Sequence, residues 1–164
     1  MKRCIPRLGL IAVVVARLLA QREDSRALQP IAFSHKIHIA IALRCLDCHT
    51  IRPPGFEAGI PGTSLCMTCH SAIKTGSPEI KRLAEFHATN TPVPWVRVYR
   101  APDFVVFSHS VHVRTAKADC ATCHGPVSER DVITKENPIT MNACVECHEK
   151  NKARTGCETC HDIH

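Results

Sequence analysis

Aromatic side chains are scarce in this 164-residue chain: one Trp, one Tyr and five Phe, or 4%. No segment carries a long helical period of apolar residues. A chain of this length should bury a modest core, and side chains alone give it little to build one from. Long apolar runs are missing too. The longest, Leu8 to Ala20, contains Arg17 and falls short of the roughly 20 residues a spanning helix needs. There is also no basic stripe interleaved with aromatics, which excludes a nucleic-acid binder despite the formal net charge of +6. Lys2, Arg3, Arg7 and Arg17 supply four of those charges, and the chain from Gln21 onward carries 17 basic against 15 acidic residues, or +2. No βαβ pattern and no conventional catalytic constellation can be found.

What the chain does have is cysteine in a fixed frame. C-x-x-C-H occurs five times: Cys45–Cys48–His49, Cys66–Cys69–His70, Cys120–Cys123–His124, Cys144–Cys147–His148 and Cys157–Cys160–His161. Ten of the eleven cysteines are used in this way. The pattern is the attachment signature of c-type haem. Two thiols on one helical turn form thioethers with the two vinyl groups of one macrocycle, and the adjacent His becomes the proximal iron ligand. Zinc sites also use C-x-x-C pairs, but zinc explains neither the invariant His nor an odd number of pairs. Redox disulfides need a thioredoxin-like setting. Five covalently bound haems are therefore expected. Each ferric haem brings about one net negative charge through its propionates, so the mature holoprotein should be near neutral or slightly acidic.

The first twenty residues have the layout of an export signal: basic Lys2, Arg3 and Arg7, then the apolar Leu8 to Val15. Val14-Val15-Ala16 offers a cleavage site and Leu18-Leu19-Ala20 a second, with retention as an anchor the alternative. Cys4 precedes the apolar run and leaves with the signal. Attachment of c-type haem outside the cytoplasmic membrane agrees with export. The expected location is the periplasm or the outer face of that membrane.

An internal repeat organises the rest. Phe33-Ser34-His35-Lys36-Ile37-His38 returns as Phe107-Ser108-His109-Ser110-Val111-His112, 74 residues later. The motif at Cys45 returns at Cys120 and that at Cys66 at Cys144, offsets of 75 and 78. The expected architecture is mostly irregular with short α-helices, a multihaem cage made of a duplicated two-haem module plus one extra haem. Residues 1–20 form the signal, 21–90 the first two-haem module, 91–102 an extended Pro-rich connector, and 103–164 the second module with three haems. The two prolines of Thr91-Pro92-Val93-Pro94 argue for extended backbone. Ser77 and Pro78 predict a helix over 78–86. The haem motifs should sit on short helices, with residues 52–63 and 125–138 irregular.

Five six-coordinate irons need five distal ligands, and six histidines lie outside the motifs: His35, His38, His87, His109, His112 and His164. His35 with His38, and His109 with His112, are three residues apart on one helical face, so each pair can serve two neighbouring haems. The fifth distal ligand is expected to be His164, with His87 the alternative and a thioether from Met67 or Met141, or an open site, after them. His49, His70, His124, His148 and His161 are the proximal set. Arg97 and Arg100 are candidates for pairing with propionates.

F-x-H-x-x-H ahead of paired C-x-x-C-H motifs resembles the class III multihaem cytochromes c, over roughly residues 30–164. A narrower likeness rests on Ala58-Gly59-Ile60-Pro61, Cys66-Met67-Thr68-Cys69-His70, Pro92-Val93-Pro94-Trp95-Val96-Arg97-Val98, Pro102-Asp103-Phe104-Val105-Val106-Phe107 and Thr140-Met141-Asn142-Ala143-Cys144. These segments are similar to the pentahaem subunit of alternative complex III and related quinone-oxidoreductase cytochromes. The resemblance implies closely packed, mostly bis-histidine haems, with the four paired His as distal ligands. It also implies a redox partner in a membrane quinone-oxidising respiratory complex, any membrane contact being peripheral. The expected function is electron transfer rather than catalysis. A small nitrite- or hydroxylamine-type reductase with one open haem, and a subunit of a cytochrome filament, are the alternatives.

Overall fold

A computed structural model describes residues 29–162. The expected signal segment and His164 lie outside the described residues. The helices are α1 (His35–Ala40), α2 (Cys45–Cys48), α3 (Thr63–His70), α4 (Pro78–Ala88), α5 (Cys120–His124), α6 (Met141–Lys150) and α7 (Cys157–Cys160). A π-helical turn covers Ser110–Thr115 and a 3-10 turn Val127–Glu129. Among the described residues there is no strand. The remainder is irregular, as the composition predicts.

Local chemistry explains where these helices start. The Ser34 hydroxyl accepts from the Ile37 amide (3.2 Å) at α1, Asp119 from Ala121 (2.9 Å) at α5, and Thr140 from Ala143 (3.3 Å) at α6. Each satisfies an amide that an opening turn leaves orphaned. At α2 Asp47 reaches back to the Arg44 amide (2.8 Å), the return half of a capping box. Pro78 stands in the first turn of α4 with Glu79, where the missing N–H costs nothing and the carboxylate meets the helix dipole. That helix continues to Ala88, two residues beyond the predicted end. His87 therefore rides in its last turn.

Four apolar side chains are buried among the described residues: Ile31, Ile51, Leu83 and Val93. Ile31, Leu83 and Val93 pack together, flanked by Cys66, Met67, Ile80, Phe86 and Trp95. Gln29 ties this cluster by exchanging two bonds with the Val96 backbone (2.8 and 3.0 Å). Arg82 reaches the Pro30 carbonyl, and Glu79 accepts from the Ala32 amide, both at 2.8 Å. Elsewhere large apolar groups face outward, with Phe104 and Met141 each 70% exposed. Protein atoms alone leave the chain under-buried, and cofactors would supply the missing apolar surface.

The two repeat-related regions grip each other reciprocally. The Ser110 amide donates to the Gly55 carbonyl (2.9 Å) and the Lys36 amide to the Arg130 carbonyl (3.1 Å). Ser110 follows Lys36 by 74 positions, and Arg130 follows Gly55 by 75. The loop after the first motif thus holds the second His pair, and the loop after the third motif holds the first.

Candidate metal centres

In three of the five motifs the first Cys opens its helix: Cys45 in α2, Cys120 in α5 and Cys157 in α7. The His49 amide donates to Cys45 O (2.8 Å) and the His161 amide to Cys157 O (2.9 Å). One helical turn therefore sets both thiols and starts the following His. Cys66 and Cys69 lie within α3, and Cys144 and Cys147 within α6. All ten thiols are free and exposed or half-buried. Burial, before any neighbouring charge, pushes Cys48, Cys66, Cys120, Cys123 and Cys144 above the ordinary thiol value. Among the described residues no three His, Cys, Asp or Glu side chains converge on one point, as a structural zinc site would require.

The histidines do converge, in twos. His35 lies opposite His49 with ring centroids 6.2 Å apart and planes 8° from parallel. His109 faces His124 at 6.4 Å and 4°. His38 meets His70 at 6.1 Å and 66°, and His112 meets His148 at 6.0 Å and 37°. Each pair joins one His of an F-S-H-x-x-H segment to one motif His. A metal bonded to one nitrogen of each ring, at about 2 Å per bond, holds two centroids about 6 Å apart. The four pairs fit that requirement.

Hydrogen bonds select the nitrogen that would bind. His38 donates from Nδ1 to Ser34 O (2.8 Å), His49 to Gly59 O (2.8 Å), His70 to Ile73 O (3.1 Å), His109 to Phe56 O (2.7 Å), His112 to Ser108 O (2.8 Å) and His148 to Arg154 O (2.5 Å). A carbonyl only accepts, so Nδ1 carries the proton in each ring and Nε2 keeps its lone pair. Metal-binding histidines are held and tuned by this arrangement. His35 Nδ1 is buried with no protein partner. Burial, then the neighbouring His49 and His38, pulls its pKa down to about 4. His124 is lowered by burial, then by His109 and His49. Burial thus favours the neutral ring in both, the form that ligates.

The fifth motif differs. His161 donates from Nδ1 to Phe104 O (3.1 Å), and the Phe104 ring lies over it at 5.9 Å and 22°. No histidine faces it among the described residues, and His164 lies outside them. His87 sits in α4 with Nδ1 3.2 Å from Thr63 Oγ1, and none of the ring pairs among the described residues includes it. Arg97 pairs with Glu57 (2.8 and 3.2 Å) and Arg100 with Asp103 (2.9 Å), so both guanidiniums already have carboxylate partners.

The contacts of three aromatic residues went unread in the sequence. Phe33 stacks on His38 (4.4 Å, 20°) and meets His35 edge-on (4.8 Å, 83°). Phe107 repeats this with His112 (4.5 Å, 23°) and His109 (4.9 Å, 88°). The Phe that opens the hexapeptide is thus a brace for both histidines, and its recurrence at the repeat offset was the available signal. Tyr99 sets its ring edge-on to His124 (4.6 Å, 87°), while its hydroxyl accepts from the Glu136 amide (3.0 Å). No sequence pattern marks Tyr99.

Comparison with known proteins gives two matches. Residues 105–162 match the family model described as cytochrome c7 and related cytochrome c. The chain is 32% identical over 160 residues to the multihaem cytochrome c subunit of menaquinone reductase from Nitratidesulfovibrio vulgaris (strain Hildenborough). That match covers 81% of this chain and 76% of the relative.

Proposed function

The chain belongs to the multihaem cytochromes c, with covalently attached c-type haem, and from that premise we propose that it is an exported pentahaem electron-transfer subunit of a quinone-oxidoreducing complex. The observation that carries the proposal is the set of four ring pairs, each joining a segment His to a motif His about 6 Å away. In this reading the ten motif cysteines hold five haems. His49, His70, His124, His148 and His161 are the proximal ligands, and His35, His38, His109 and His112 are distal ligands to the first four sites, with His164 the candidate for the fifth. The haem supplies one-electron chemistry. The chain's own contribution is to fix both rings, fill the axial positions and exclude substrate. The carbonyl acceptors at Nδ1 and the Phe braces would hold those rings rigid on either side of the group, so that little has to move when it takes up an electron.

The relative is by name a menaquinone reductase subunit, which supports a quinone-linked complex as partner. No helix among the described residues is long and apolar enough to cross a membrane. The count is tested by intact mass of the matured protein after acid-acetone extraction, where five haem additions are expected and fewer would overturn it.

A second reading, a small reductase, draws on the fifth motif, where among the described residues an aromatic ring and no histidine meets His161. Carbon monoxide binding separates the two. A carrier with every axial position filled binds it slowly in the reduced state. Fast stoichiometric binding with turnover of nitrite or hydroxylamine would favour the reductase. Comparison with a chain truncated before His164 shows whether that residue closes the fifth site.

A further inference from the structure

Numbered by motif order, the five attachment sites are not adjacent in space in the order in which the chain makes them. Two short segments set the first relationships. His35 and His38 share α1 and face His49 and His70, so sites 1 and 2 are neighbours. His109 and His112, three residues apart, face His124 and His148, so sites 3 and 4 are neighbours. The thiols repeat these neighbourhoods. Cys48 lies near Cys66, and Cys123 near Cys144 and Cys147.

The link between the two pairs is then decisive. His109, whose ring faces His124 at site 3, gives its Nδ1 proton to Phe56 O (2.7 Å), in the same loop whose Gly59 O takes the Nδ1 proton of His49 at site 1 (2.8 Å). Sites 1 and 3 therefore meet, although 75 residues separate their first cysteines. At the far end Cys144 lies near Cys160, and the Val106 amide donates to the Cys160 carbonyl (2.8 Å). Site 5 follows site 4.

One loop couples the halves at the crossing. Gly55 has a φ of +87°, and a Cβ there would stand 2.4 Å from Ser110 Cβ. Its carbonyl accepts from the Ser110 amide (2.9 Å), and the next carbonyl, of Phe56, takes the Nδ1 proton of His109 (2.7 Å). The loop begins just after His49, which bonds to Gly59 at its far side. A single close approach between Gly55 and Ser110 thus sets how near the first motif stands to the ligand pair of the third.

We infer that the attachment sites form one row in the order 2–1–3–4–5, that electrons cross between the halves from site 1 to site 3, and that Gly55 against Ser110 is the positioning contact for that crossing. This rests on the five-haem reading above. It makes sites 2 and 5 the ends of the row, where redox partners would give and take electrons.

The test uses the complete holoprotein. Reducing one haem shifts the midpoint of a near neighbour more than that of a distant one, because the interaction falls with separation. Exchange NMR through partial reduction reads these shifts haem by haem. Contacts from Tyr99, against His124, mark site 3, and contacts from Phe104, against His161, mark site 5. The expected interaction for sites 1 and 3 is at least about twice that for sites 2 and 5. A 1–3 interaction no larger than the 2–5 one overturns the order. Gly55→Ala should weaken the 1–3 interaction while 1–2 and 3–4 persist. Ser110→Gly in the same chain should restore the interaction by making room. Positive-φ strain at residue 55 persists in the double variant, so a merely structural role would leave the loss unrescued. If Gly55→Ala fails to fold, the unsubstituted protein still decides the order. Intact mass taken first keeps the outcomes apart: fewer than five haems defeats the count, and five haems with a weak 1–3 interaction defeats the order alone.

Discussion

Phe33–His38 and Phe107–His112 are one hexapeptide pattern in two settings, and they differ only where other parts of the chain touch them. Inside each copy the geometry is shared. The Phe ring stacks on the second His at 4.4 and 4.5 Å and meets the first edge-on at 4.8 and 4.9 Å. The second His donates Nδ1 to the carbonyl four residues back at 2.8 Å in both. The first His differs. His109 gives its Nδ1 proton to Phe56 O, whereas His35 Nδ1 is buried and unpartnered. The backbone differs as well, an α-helix in the first copy and a π-helical turn in the second. Different loops face them: Gly55-Phe56 lies against Phe107–His112 and Arg130-Asp131 against Phe33–His38. Short-range chemistry is copied with the sequence, and long-range chemistry is rebuilt by whatever docks there.

Removing the first His of each copy should give the largest effect. His35→Ala and His109→Ala are each expected to convert one low-spin haem to high-spin, read by electron paramagnetic resonance, and to open it to carbon monoxide. The His109 change also removes the ring's bond to the Phe56 carbonyl, which keeps only the residue 109 amide at 3.5 Å. Its cost in denaturation should exceed that of His35→Ala by about 0.5–1.5 kcal/mol, one hydrogen bond. Equal losses would mean that the difference in hydrogen bonding carries no energy. Phe33→Leu and Phe107→Leu come next. Each loses ring contacts with two histidines worth about 0.5–1.5 kcal/mol apiece. Because that geometry is local, the two substitutions should cost the same, and a clear inequality would show that the docking loops reach the braces too.

The sequence disclosed what depends on side-chain identity and spacing. Five C-x-x-C-H motifs, the doubled hexapeptide and the Ser77-Pro78 helix start could all be read directly. Sparse aromatics and missing periodicity pointed correctly to an irregular, helix-poor chain. The acceptors that hold the rings could not be read, because Ser34, Gly59, Ile73, Phe56 and Arg154 act through backbone carbonyls that every residue possesses. Tyr99 was hidden for a related reason: its partners are the His124 ring and the Glu136 amide, 25 and 37 positions away. The π-helical turn at Ser110–Thr115 also escaped, since i,i+3 spacing suits an α-helix equally well. The wider turn shows in the Ala116 amide, which bonds back to Val111 O at 2.9 Å.

The smallest expected difference lies in the two serines. Ser34 and Ser108 each accept from the amide three residues on, at 3.2 and 3.3 Å. Loss of such a cap costs about 0.5–2 kcal/mol. Ser34 also donates to the Asp131 carboxylate at 2.6 Å, while Ser108 reaches Gly55 O only at 3.4 Å. A hydrogen bond to a charged acceptor is stronger than one to a carbonyl, although exposure to water discounts this one. Ser34→Ala should therefore cost more than Ser108→Ala by a few tenths to about 1 kcal/mol. Asp131→Asn keeps the acceptor but removes its charge, so it should recover part of that difference without touching the cap. If Ser34→Ala costs no more than Ser108→Ala, the grip of the second half on the first does not pass through Asp131. It would then fall to the Lys36–Arg130 backbone bond, which no side-chain substitution removes.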